Sequence, residues 1–291
     1  MRSTISRSCS LAEQPDALAI VYYQNANTTA EPTTTSWTID DSTCANDALS
    51  KTVPYFPLAP PAVNTTVNVA VSFTINSTGN FLFTLDGSSF RTDYSDPILP
   101  LLQASNSTAN IASFPREWNV YNFGSNKSFI IVVNNENAIA HPMHIHGHNM
   151  FVLSEGTGTW DGTTQGSSSN PARRDVQILR PNGYIALQVD ADNPGVWPFH
   201  CHIAWHVSGG LYMNILERPG DIPAMVSSPS GCDDLCTAWD KWTSTGIVDQ
   251  IDSGLRKARR NDGADSGLAL RSERRRQHMR KHVRDHVRHT L

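Results

Sequence analysis

The sequence predicts an all-β fold, a β-sandwich or barrel, with one short helix towards its C-terminal end. Two observations predict it. From about residue 63 to 217, short runs rich in Val, Ile, Phe and Tyr are divided by turn residues. Beyond them, CDDLCTAWDKW (232–242) is the clearest helix candidate, because Leu235, Trp239 and Trp242 share one helical face.

The elements follow in order. ALAIVYY (17–23) is a short, mostly apolar strand. The Thr-rich stretch after it and Pro54, Pro57, Pro60 and Pro61 predict a linker over 24–60. VNVAVSFTI (67–75) alternates apolar and polar side chains, as a strand with one buried face does. NFLFTLDG (80–87) closes on a turn signal, and KSFIIVVNN (127–135), DVQILR (175–180), GYIALQVDAD (183–192) and LYMNILE (211–217) continue the pattern. These runs and the helix make 61–246 one domain, with Gly246 as the helix stop. Residues 256–291 form an arginine-rich tail. Its His278, His282 and His286 recur at helical spacing, but Arg276, Arg280, Arg284 and Arg288 share that period, which favours a solvated basic segment over a metal site.

Charge separates body from tail. The formal net charge is -4, yet residues 256–291 carry 12 Lys/Arg against 4 Asp/Glu, leaving 11 against 23 in the rest. An acidic body argues against nucleic acid as a partner. No apolar stretch approaches the length that spans a bilayer, which argues against a membrane partner. The N-terminal MRSTISRSCSLAEQPDALAI has no continuous apolar core, so no signal peptide is expected in this chain. Glycosylation sequons nevertheless begin at Asn27, Asn64, Asn76, Asn106 and Asn126, and together they lean towards a secreted protein. The cysteines are Cys9, Cys44, Cys201, Cys232 and Cys236. With Cys201 as a ligand, four remain for an oxidising compartment; Cys9 with Cys44 is the preferred disulfide. Cys232 and Cys236 pair with each other only under strain, or one of them reaches a partner elsewhere.

The histidines carry the chemistry. Outside the tail all of them fall in HPMHIHGH (141–148) and HCHIAWH (200–206), which scattered core histidines would not do. On a strand, residues two apart share a face, so His200 and His202 point one way and Cys201 the other. His144 and His146 likewise share a face, with His141 of opposite parity, although Pro142 makes straight strand geometry uncertain. An interval of five from Cys201 to His206 flips the face, so a turn through Ile203–Trp205 has to return His206 to the thiol. One thiolate and two imidazoles, Cys201 with His141 and His206, suit a blue copper site, and zinc would accept the same ligands. The all-imidazole set His144, His146, His200 and His202, behind the thiolate strand, tips the balance to copper that meets oxygen.

HPMHIHGH and HCHIAWHVSGGL closely resemble the two C-terminal copper signatures of multicopper oxidases, and those of laccases from filamentous ascomycete fungi in particular. The similarity runs from about Cys9 to Leu255. It implies a cupredoxin-like Greek-key β-sandwich for 61–246, with 1–23 as the remnant of a preceding cupredoxin domain. It assigns His141, Cys201 and His206 to the blue copper, His144 to the type 2 copper, and His146, His200 and His202 to the type 3 coppers. His148 lies in the motif without being a ligand, and a hydrogen bond behind the ligands is its expected role. Leu211 occupies the axial position and cannot coordinate, so the blue site should be more oxidising than one with methionine there. DSGL (252–255) resembles a processing point, making 247–255 a C-terminal plug and the basic tail a propeptide.

The family's catalytic path would run from a phenolic or aromatic amine donor at His206, through Cys201 and its flanking His200 and His202, to oxygen. Trp205, Ile139, Phe81 and Phe83 are candidates for the donor pocket, the two phenylalanines equally for ordinary core. Half of the trinuclear ligands belong to N-terminal signatures that this chain does not contain, so missing N-terminal cupredoxin domains are expected partners alongside oxygen and the aromatic donor. A non-catalytic cupredoxin that carries electrons or holds copper is the alternative; it leaves the all-imidazole set without a purpose.

Overall fold

Where apolar residues alternate, they decide which face a strand buries, and here two faces meet. The computed structural model describes residues 1–6, 9–10, 12–38, 43–104, 114–225 and 230–245. The chain divides into two units, Met1–Ala48 and Leu49–Leu291.

In the first unit, β1 (Arg2–Thr4) and β2 (Asp16–Leu18) pair antiparallel. Asp16 accepts from Thr4 Oγ1 at 2.6 Å, and Cys9 is bonded to Cys44. The strand expected over 17–23 is cut short. The ladder with β1 ends at Leu18, and Ile20, Val21 and Tyr23 lie exposed, because apolar composition without a pairing partner does not hold a strand.

The second unit contains β3 (Thr66–Ile75), β4 (Phe81–Leu85), α1 (Ile98–Ala104), a 3-10 turn (Arg116–Trp118), β5 (Val120–Asn122), β6 (Ser128–Asn135), β7 (His141–Ile145) and β8 (Met150–Thr157). It continues with β9 (Ala172–Arg174), β10 (Val176–Leu179), β11 (Gly183–Asp190), β12 (Gly195–Cys201), α2 (Ala204–Ser208), β13 (Tyr212–Glu217), α3 (Ile222–Met225) and α4 (Ser230–Thr243). One sheet has the order β4-β3-β6-β11-β8-β9 and the other β10-β7-β12-β13-β5. From β4 to β12 the chain passes repeatedly from one sheet to the other, and β3–β6 and β13–β5 are the parallel neighbours. This is a cupredoxin-like β-sandwich. Val69, Val71, Phe83, Phe129, Ile131 and Leu187 of the first sheet share one buried cluster with Met143, Ile145, Phe199, Cys201, Met213 and Ile215 of the second.

The second unit begins inside the stretch that composition predicts as linker. Leu49 belongs to the core cluster, and Asn170 clasps the chain ahead of β3, donating to Pro54 O at 2.9 Å and accepting from Leu58 N at 3.2 Å. The expected helix is α4, with Trp239 against Tyr94 and its indole N–H on Ser95 Oγ at 3.3 Å, while Leu235 stays exposed. No helix among the described residues is long and apolar enough to cross a membrane. Gly246, the DSGL segment, the basic tail and Asn106 lie outside the described residues.

Candidate metal centre

Strands β7 and β12 lie side by side, with Phe199 opposite Ile145, His200 opposite His144 and Cys201 opposite Met143. Their alternation sends His141, Met143, Ile145, Phe199 and Cys201 into the core and leaves His144 and His200 on the other face. Pro142 fits because its missing N–H falls near the strand's start, while its carbonyl still accepts His202 N–H at 2.7 Å. After Cys201 the chain turns into α2, which returns His206 to the buried side.

The first cluster is closed. The ligand atoms of His141, Cys201 and His206 lie within 4.8 Å of one another. His206 Nδ1 is 3.1 Å from His141 Nδ1 and 3.5 Å from Cys201 Sγ. His141 and Cys201 are fully buried, and Phe83 packs on both imidazoles, with ring centroids 4.3 Å from His206 and 5.3 Å from His141. Leu211 is buried beside them, its N–H on His206 O at 3.0 Å and its carbonyl accepting from Cys201 N at 3.2 Å. Gly210 makes this turn possible: its φ of +98° suits glycine, and a Cβ would run into Ser89 Oγ and Phe90 N.

Electrostatics explain what this cluster accepts. Burial, then the neighbouring His206, pushes His141 down to about 4. Burial lowers His206 as well, and it pushes the Cys201 thiol up to about 11 against a smaller pull from the Ile203 N–H. The pocket therefore favours neutral imidazoles with free lone pairs, and the thiol needs a cation beside it to ionise. His141 Nε2 is buried without a hydrogen-bond partner, so the placement of this ring is explained by what its Nδ1 faces. Two imidazoles and a thiol, dry and convergent, fit a copper ion.

The second cluster lies across the same strands. Ligand atoms of His144, His146 and His200 fall within 4.8 Å of one another, and the Nε2 atoms of His146 and His200 are 3.0 Å apart. Hydrogen bonds set the tautomers: His144 Nδ1 donates to Asp175 O at 2.8 Å, and His200 Nδ1 donates to Cys201 O at 2.8 Å, which leaves each Nε2 with a lone pair in place of a proton in the neutral ring. His202 stands at the rim, its ring 5.3 Å from His144 and 6.0 Å from His200, and it does not join the group of three. The His200–Cys201 bond means that the thiol's own carbonyl holds a ring of the other cluster.

Of the candidate donor-pocket residues, Trp205 is exposed next to His206, Ile139 and Phe81 are partly exposed, and Phe83 is 4% exposed, beneath Phe81 and out of reach from outside. Asn27 and Asn64 are exposed, and Asn76 sits at the tip of the β3–β4 hairpin. Asn126 is placed differently: its side-chain amide donates to Phe123 O at 2.7 Å, and its sequon serine, Ser128, is buried. Residue-by-residue reasoning passed over Asp175, Asn193, Trp197 and Glu217. Glu217 had a signal: it ends the inward stripe Met213, Ile215, Glu217, where a carboxylate has to meet a partner.

Residues 91–221 match the multicopper oxidase family model. The chain contains a multicopper oxidase domain. It is 36% identical to Laccase-1 of Botryotinia fuckeliana, over 81% of this chain and 41% of that protein. Against Laccase-2 of Podospora anserina the identity is 34%, over 86% and 43% respectively. Among solved structures, the laccase from Botrytis aclada superposes with a TM-score of 0.65 at 32% identity, over 80% of this chain and 42% of that one. The chain thus spans about two fifths of the length of these relatives. The match to this family implies copper as the metal, in agreement with the donor set of the buried cluster.

Proposed function

We propose that the chain is the C-terminal part of a laccase-type oxidase that takes single electrons from phenols or aromatic amines and delivers them to oxygen. His141, Cys201 and His206 would hold the blue copper, and His144, His146, His200 and His202 half of an oxygen-reducing centre. Copper, when bound, supplies the one-electron acceptor and the site of oxygen reduction. Four donors each losing an electron and a proton balance one oxygen reduced to two waters.

The chain's own residues account for the rest. Cys201 gives a soft thiolate in a dry pocket, and Phe83 and Leu211 keep water from it. Exposed Trp205 offers an aromatic donor a face next to His206. His200, bonded through Nδ1 to Cys201 O, joins the two clusters by a covalent and a hydrogen-bonded route. The observation that carries this reading is the placement of two clusters back to back on β7 and β12. A non-catalytic carrier is less favoured, since it needs only the first cluster and the relatives are laccases. Sequons at exposed positions and the Cys9–Cys44 bond support secretion of the whole protein. The basic tail as propeptide and DSGL as plug belong to the same proposal.

The test is to add cupric ion to the isolated chain and follow the visible spectrum and oxygen uptake with a phenol. The expected result is an intense blue band, bleached by the phenol without sustained oxygen uptake, because the second cluster holds half its ligands. Brisk turnover of oxygen by this chain alone would contradict the half-centre, and absence of the band would contradict the blue site.

A further inference from the structure

His148 is a motif histidine that belongs to neither cluster, yet its side chain is only 2% exposed. Its Nε2 lies 2.8 Å from a carboxylate oxygen of Glu217, a fully buried side chain, at ion-pair distance though off the line of a good hydrogen bond. Its Nδ1–H donates to His146 O at 3.0 Å. Glu217's other oxygen accepts Asn193 N–H at 2.8 Å, and the Asn193 side chain donates to Gly147 O at 3.2 Å. The Trp197 indole N–H donates to Asn193 O at 2.7 Å, and its ring meets His148 edge-on at 5.6 Å. The same ring presses on Gly147, whose φ is +72° and where a Cβ would stand 2.7 Å from it.

All of these contacts converge on the turn His146–Gly147–His148, and they come from three places: the end of β13, the loop before β12, and β12 itself. His146 is exposed, so its ring is aimed through its main chain and not by packing around it. A carbonyl hydrogen bond and a sterically closed glycine do that. We propose that His148 and Glu217, braced by Asn193 and Trp197, are positioning residues that hold the His146 main chain and so set metal affinity at the second cluster, leaving the first unaffected. The inference rests on the reading of His144, His146 and His200 as a metal site. A buried ion pair that merely stabilises the core would affect both clusters through folding alone.

The two roles separate in one experiment on the full chain. Cupric ion is titrated against a competing chelator into wild type, His148→Phe, Glu217→Gln and the double variant His148→Phe/Glu217→Leu. Binding at the second cluster is taken as the non-blue cupric signal that His200→Ala removes, the first cluster is read from the blue band, and thermal melting runs alongside. Each single variant leaves a buried group without its partner and lowers the melting temperature; the double variant removes both and recovers it. The expected result is second-cluster affinity about tenfold weaker in all three, the double variant included, with the blue band retained. Recovery of wild-type affinity together with stability, or parallel loss of both signals, overturns the proposal. A wild-type chain that turns blue but has no signal sensitive to His200→Ala overturns the metal reading beneath it instead.

Discussion

At Cys201 the side chain enters the core while the carbonyl oxygen holds His200 Nδ1 at 2.8 Å on the far side of the sheet. Strand parity made this arrangement legible in the sequence, since HCH can only place its outer pair opposite its middle residue. Parity gives faces but not partners. It left open that His202 stands at the rim and that Asp175 supplies a carbonyl to His144, because both depend on which strand pairs with which. Leu211 offers a test at this scale. Replacing it with methionine conserves volume and costs less than about 1.5 kcal/mol, while adding a weak thioether donor beside the thiolate. Redox titration of the blue band in Leu211→Met is expected to give a lower potential than wild type, with near-normal melting; an unchanged potential means that residue 211 does not face the metal.

Among the elements, strands marked by alternation or by runs rich in Val, Ile, Leu and aromatic residues were legible, β6 and β11 among them although both are buried almost throughout. β3 alternates and was plain, whereas β8, MFVLSEGT, is buried nearly throughout and so lacks the alternation that marks a strand. The short β5 and β9 exist because longer strands offer them edges, which no local pattern announces. The two sheets are also tied by polar contacts: Tyr121 of β5 donates its hydroxyl to Asp86, at the end of β4, at 2.7 Å. Burial, then this bond and the Asp86 charge, raises the Tyr121 phenol well above its ordinary value. The fold thus favours the neutral phenol, so its contribution to stability is complete below the unfolded value of about 10 and is lost as pH rises through the raised one. Denaturant unfolding should show Tyr121→Phe less stable by about 1–2 kcal/mol at neutral pH, with a flatter decline above pH 10 than wild type. An identical decline would remove Tyr121 from the account.

For the molecule as a whole, the sandwich is a device for bringing a strand pair, a one-turn helix and a glycine turn to one buried point. Fold class and metal followed from the sequence because periodicity and histidine clustering are local signals. The division at Leu49 and the shortened strand at 16–18 did not, because linker and strand are decided by what packs on them. The central claim is that sulfur and two imidazoles share one copper. X-ray absorption at the copper edge of the fully loaded chain tests it most directly. One short copper–sulfur distance together with imidazole nitrogens is expected, with the sulfur contribution absent in Cys201→Ser. A first shell of nitrogen and oxygen alone, unchanged by that substitution, would contradict the account.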